Sequence, residues 1–251
     1  MDGEKLKLKN PPIIEAVVDI DCDMPAGHSV LDLETRATEI FAALYPIAGR
    51  QVVERLTWHR DEEGKLLHEA DKDVSAIRFT STDEKQIVQV RPGGFSFNRL
   101  APYGSFDDYE EEIGKRWHDF VALAGPLLVR ETRLRYVNRI PVPFDGQAVD
   151  LDLYFNNAPR LPDGTGLVMS SFLLQCTAVE TISGSQASLT LAMQPAAEGV
   201  LPIIFDIQVR SDTKHDPLDW EGIKLKLEAL RAIKNRIFWE ALTEKCRQLF
   251  Q

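Results

Sequence analysis

Two short stretches constrain this fold more than any others: IIEAVVDIDCD, residues 13–23, and ETRLRYVNRI, residues 131–140. Successive side chains on a strand point to opposite faces, so a pattern repeating every second residue assigns each residue to a face. In the later stretch Glu131, Arg133, Arg135, Val137 and Arg139 share one face, and Thr132, Leu134, Tyr136, Asn138 and Ile140 share the other. In the earlier stretch Glu15, Asp19, Asp21 and Asp23 fall with Ile13 and Val17, opposite Ile14, Ala16, Val18, Ile20 and Cys22. Each strand is thus apolar on one side and charged on the other, as in an antiparallel sheet with a single core face. One charged row is acidic and the other basic. The two strands are therefore expected side by side, with Glu15 and Asp19 meeting Arg133, Arg135 or Arg139. Such cross-strand pairs contribute roughly 0.2–1 kcal/mol each, and more where a guanidinium grips a carboxylate with both arms.

The rest of the chain reads as elements around these strands. SVLDLETRATEIFAALYPIAG is a helix that Ser29 can cap, with Leu33, Ala37, Ile40, Phe41 and Leu44 on one stripe. Three strand-like runs follow, QVVERLTWHR, VSAIRFTST and QIVQVRPGGFSFNRL, the first two separated by the polar loop DEEGKLLHEADKD. Pro92-Gly93-Gly94 marks a bulge or tight turn inside the third run. SFDDYEEEIGKRWHDFVALAG is a helix with acids in its first turn and a stop at Gly125. LLVRETRLRYVNRIPVP then starts a second series: a short helix in VDLDLYFNNAP, strands LVMSSFLLQCTAVETI and QASLTLAMQPA joined at Ser183-Gly184-Ser185, and the strand LPIIFDIQVRSD. A final helix is expected from Asp219 to Phe250, with Ile223, Leu227, Leu230, Ile237, Ala241 and Leu249 on its stripe.

Both series read strand, helix, three strands, helix. Residues 1–125 and 126–251 are thus expected to be two similar βαβββα halves of an α+β protein, each an antiparallel sheet with helices on one face. Joined edge to edge, they would make one long curved sheet. Matches spaced about 120 residues apart support an internal duplication: Leu31-Asp32-Leu33 with Leu151-Asp152-Leu153, and Gln89-Val90-Arg91 with Gln208-Val209-Arg210. Trp117 and Trp239 sit near equivalent places in the helices that follow. The order of elements resembles the TATA-binding-protein-like arrangement at the level of fold, which carries no function with it.

NPPIIEAVVDI, FSFNRLAPY, RLRYVNRIPVP and the closing LRAIKNRIFWEALTEKC together resemble a sporadically distributed bacterial family of uncharacterised proteins. The resemblance spans nearly the whole chain. It implies no activity and supplies no catalytic residue. A patchy distribution fits a gene that moves between genomes, in a defence or addiction-type setting.

Composition narrows the function classes. A net charge of −10 and a pI near 5.1 argue against nucleic acid, whose binding depends on neutralising phosphates. No apolar run reaches the ~18 residues of a membrane span, and MDGEKLKLKN lacks the apolar core of a secretory signal. Cys22, Cys176 and Cys246 are far apart, show no metal spacing and read as small core residues of a cytoplasmic protein. No glycine loop, nucleophile elbow or histidine spacing assigns a catalytic residue, a metal or a cofactor. His59 and His68 flank an acidic loop, and Asp19, Asp21 and Asp23 share a strand face, but a solvated loop and arginine partners account for them.

The binding candidates are Arg133, Arg135 and Arg139 with Glu15 and Asp19, and a second group in FSFNRLAPY. There Phe95, Phe97 and Arg99 share a face, and Tyr103 follows in a turn. An aromatic-plus-arginine surface suits a peptide or a stacked base, although core packing against the helix explains the phenylalanines more cheaply. The expected function is a binding or interaction module that holds a protein partner or small anionic ligand on its sheet face. The alternative is a small-molecule enzyme whose anion pocket is lined by the arginine strand and the N-terminal acids. A sheet edge or the final helix could also serve a homodimer.

Overall fold

Strands β1 (Ile13–Asp23) and β6 (Leu128–Pro143) do lie side by side and antiparallel, with Asp19 opposite Arg133 and Val17 opposite Arg135. They form the middle of the computed structural model, which describes residues 8–60, 64–146, 148–212 and 214–251. The remaining strands are β2 (Ile47–Arg60), β3 (Leu66–Thr80), β4 (Gln86–Arg91), β5 (Gly94–Leu100), β7 (Leu173–Val179), β8 (Gln186–Met193) and β9 (Val200–Ser211). All nine belong to one antiparallel sheet in the order β2-β3-β4-β5-β1-β6-β9-β8-β7. Four α-helices are described: α1 (Glu34–Phe41), α2 (Glu110–Ala124), α3 (Trp220–Ala241) and α4 (Glu244–Gln248). The protein is α+β.

The alternation read from the sequence decides the layers. Ala16, Val18, Ile20 and Cys22 of β1 and Leu134, Tyr136, Ile140 and Val142 of β6 are buried in one hydrophobic cluster. Phe95 and Phe97 of β5 join it, as do Ile203, Phe205, Ile207 and Val209 of β9. The helices pack on this face: Phe41 of α1 against Phe79, Trp117 and Phe120 of α2 against Phe95, and Phe238 of α3 against Phe205. Val17 and Ile87 are buried on the opposite face and stand outside the cluster.

Several local expectations change. The third strand-like run is two strands, because Gly94 takes φ +152, where an added Cβ would run into the Ile20 carbonyl; the chain reverses at Pro92-Gly93. The first half therefore has four strands after its first helix, not three. Gln89-Val90-Arg91 lies on β4, two strands from β1, whereas Gln208-Val209-Arg210 lies on β9, next to β6, so the matched tripeptides are not in equivalent places. Helix α1 starts at Glu34 without a side-chain cap, and Ser29 lies in the turns before it. VDLDLYFNNAP holds a single 3-10 turn, Leu151–Leu153. Gly125 ends α2 as read, left-handed at φ 58, with its N–H on the Val121 carbonyl.

The long final helix is two helices. Leu242 is fully buried and extended, bridging Phe155, and Thr243 caps α4 by accepting from the Cys246 N–H. Most of the expected polar loop 61–73 is strand. Its residues 61–63, like the N-terminal Lys5 and Lys7, lie outside the described residues. Strand β3 meets β4 only over Ile77–Thr80, so β2 and the first part of β3 run on as a two-stranded ribbon. Every described side chain of β2 is exposed.

Candidate functional site

The face that no described helix covers carries a continuous charged network. Arg91 of β4 brings Nη2 to 2.6 Å from Asp21 Oδ1, an ion pair by distance that lacks hydrogen-bond alignment. Arg133 donates from Nη2 to Asp21 Oδ2 at 2.9 Å, and its Nη1 stands 3.5 Å from Asp19 Oδ2. Its Nε donates to Glu131 at 3.1 Å, and the other Glu131 oxygen accepts from Arg210 Nη1 at 2.7 Å. Arg210 then donates twice to Gln186 of β8. Ser96 of β5 donates to Asp19. Cations and carboxylates so alternate over β4, β1, β6 and β9, with Ser96 of β5 and Gln186 of β8 as neutral partners.

Arg135 belongs to a separate pair. It clasps Asp206 of β9, with Nε at 3.0 Å from both oxygens and Nη2 at 2.6 Å from one. That hydrogen bonding, outweighing burial, raises the Arg135 pKa above its ordinary value. For Arg133 burial opposes the charge, but Glu131, Asp21 and Asp19 outweigh it and the pKa is again raised.

The sequence-derived candidates thus separate. Asp19 meets Arg133 as expected, but Glu15 accepts from Asn98 at 2.7 Å instead of from an arginine. Arg139 is exposed and has no ion pair among the described residues. Phe95 and Phe97 are core residues under α2. Arg99 lies 4.7 Å from the Tyr109 ring centroid, and Tyr103 shares a 2.8 Å hydroxyl contact with Tyr136. These last two belong to the covered face and do not meet the arginine row. Cys22 and Cys246 are buried, and burial pushes both thiols up to about 12, whereas Cys176 is exposed on the edge strand β7.

Beside the tyrosine pair is a residue absent from the sequence-derived candidates. Lys234 of α3 is 7% exposed, with Nζ 3.8 Å from the Tyr136 ring centroid and no carboxylate partner among the described residues. Burial, with the nearby Arg231 guanidinium, pushes its pKa down to about 7. A signal for it exists: 223, 227, 230, 234, 238 and 241 run down one helical face, and only the fourth is polar. Arg231, one turn earlier, is held by Asp107 and Ser105.

An open cleft of about 400 Å³ adjoins the network, lined by Asp21, Arg130, Glu131, Asp212 and Lys214. Among the described residues no three His, Cys, Asp or Glu side chains are grouped to hold a metal ion. No described helix is long and apolar enough to cross a membrane. No family model matches the chain, and neither does any curated protein or solved structure.

Proposed function

We propose that this chain is a binding module whose recognition surface is the helix-free face of its sheet, presented to a protein partner or a small anionic ligand. The network of Arg91, Asp21, Arg133, Glu131 and Arg210 carries this reading: it is polar, wide and uncovered by any described helix. Paired charges of this kind fix geometry and favour specificity over raw affinity. Arg139, exposed on the same face, has no ion pair among the described residues, and a guanidinium fork suits carboxylate or phosphate.

The same pairing weighs for binding over the enzymatic alternative. Asp19, Asp21, Asp23, Glu131 and Asp206 each face an arginine, and Glu15 holds the Asn98 amide, so none of them stands free as a general base. On this reading the sheet is two similar halves meeting at β1 and β6. Each first strand lies beside the last strand of its own half, β5 or β9, and a helix follows that last strand. The defence-type setting implied by the family resemblance is compatible with a binding role and adds no residue to it.

Native mass spectrometry of protein purified gently from its host tests the reading. A bound protein or small anion is expected, and Arg139→Glu should lose it while keeping the wild-type melting temperature. A bare chain, or a ligand indifferent to that reversal, overturns it.

A further inference from the structure

The ribbon formed by β2 and β3 is anomalous as an isolated piece of sheet. Beyond Ala76 it has two strands and, among the described residues, no third, and such a ribbon is marginal in water. Its outer strand is a sheet edge, with one row of backbone donors and acceptors facing outward. Natural edges are usually blunted by proline or inward-pointing charge; this one has no proline, and on the core-side face its charges Arg50, Glu54 and Arg60 stand beside Trp58, 58% exposed, and Leu56, 56% exposed.

The face of β2 holding these residues reads Glu54, Leu56, Trp58, Arg60: acid, apolar, apolar, base. It continues the helix-covered face, since Arg50 on the same side reaches Glu34 of α1 with Nε at 2.9 Å, but no described helix lies beneath it. Its neighbours on β3 are Lys72, Ala70 and His68, and the Trp58 and His68 rings are in contact at 5.3 Å.

That four-residue pattern is its own complement. A twofold axis perpendicular to a sheet makes two identical edge strands antiparallel and keeps each face on its own side. With the axis at Thr57, Glu54 lies opposite Arg60 of the second copy and Leu56 opposite its Trp58, each contact occurring twice. Moving the axis to Glu54 opposes that acid to itself. Moving it to Arg55 opposes Arg55 to itself and Arg50 to Arg60. An axis at Val52 would pair Glu54 with Arg50, but Arg50 is held by Glu34 at 2.5 Å, whereas Glu54 has only a looser 3.8 Å contact with Lys72 and Arg60 donates to the Gly64 carbonyl.

We propose that β2 is a homodimer edge, pairing antiparallel with β2 of a second copy about an axis at Thr57, with Glu54–Arg60 and Leu56–Trp58 as its cross-strand contacts. The two ribbons become one four-stranded sheet, which supplies the third and fourth strands that each lacks. The dimer edge is distinct from the helix-free face and stands or falls independently of ligand binding there.

Sedimentation velocity on the wild type, Glu54→Arg, Arg60→Glu and an equimolar mixture of the two variants tests this. The wild type should be a dimer. Each reversal turns two attractive contacts into repulsive ones and should weaken the dimer by about tenfold or more. The mixture should dimerise again. In the mixed pair the two substituted side chains face each other with opposite charge at one contact, and the native Glu54 and Arg60 face each other at the other. A variant that merely failed to fold would not be rescued. A monomeric wild type, reversals that leave the dimer unchanged, or a mixture no better than its components would each overturn the assignment.

Discussion

Arg133 and Lys234 lie on opposite sides of the same sheet, and each keeps a cationic side chain largely out of water. Arg133 is surrounded by Asp19, Asp21 and Glu131, and its charge is favoured despite burial. Lys234 has the Tyr136 ring and a nearby guanidinium, and its charge is disfavoured. Burial is common to both; partners decide the sign. The helix-free face can therefore be densely charged and still hold together, while one lysine under α3 makes the covered face sensitive to pH.

The largest loss is expected at Arg133. Replacing it with Glu leaves three carboxylates around a fourth, in a region where the arginine side chain is 24% exposed. Removing one partner of a largely buried pair costs about 3–5 kcal/mol, and Arg133→Glu should fall at or somewhat below that range, because part of the charge reaches water. Urea unfolding measures it. A loss within about 0.5 kcal/mol, the usual scale of an unremarkable surface change, would mean the network contributes little to stability.

On the covered side the residue to change is Lys234. The folded state releases its proton near pH 7, whereas the unfolded chain keeps it to about 10.5. Between those values the unfolded state binds more protons, so stability rises with pH, by about 1.4 kcal/mol per unit when this group alone titrates. The destabilisation is full below pH 7 and gone above 10.5. Lys234→Met removes the buried charge, keeps the volume, and should stabilise the protein at neutral pH by about 1–3 kcal/mol. It should also flatten the difference between melting curves at pH 7 and pH 9. A variant that keeps the wild-type slope would show that Lys234 is not its source.

The two sides also differ in how legible they are in the sequence. The period-two rows of β1 and β6 identify the core face, the charged face and the adjacency of the strands, because alternation is local and burial enforces it. Which carboxylate an arginine takes is not local. Asp206 comes to Arg135 only because β9 is the other neighbour of β6, a fact of topology rather than spacing. The hairpin split at Gly94 and the helix break at Leu242 depend likewise on the Ile20 carbonyl and on Phe155, both distant in the chain. Lys234 is a different case, legible in the helical period itself. A stripe drawn through Ile237, which is half-buried, misses it; one drawn through position 234 and Phe238, which are buried, finds it.

The smallest effect separates pairing that the sequence suggests from pairing that the fold makes. Arg135 lies opposite Val17 and near Glu15 and Asp19, yet its fork is closed on Asp206. The Arg135 side chain is 43% exposed, so solvent screening holds the coupling to about 1 kcal/mol. Arg135→Glu and Asp206→Arg should each destabilise the protein, and the double reversal, which restores opposite charges across the two strands, should recover most of that loss. Pairing Arg135→Glu with Glu15→Arg should recover much less, because Glu15 is engaged by Asn98. Additive losses in the first cycle, or equal recovery in both, would show that Arg135 responds to the general charge of the face and not to the one carboxylate it holds.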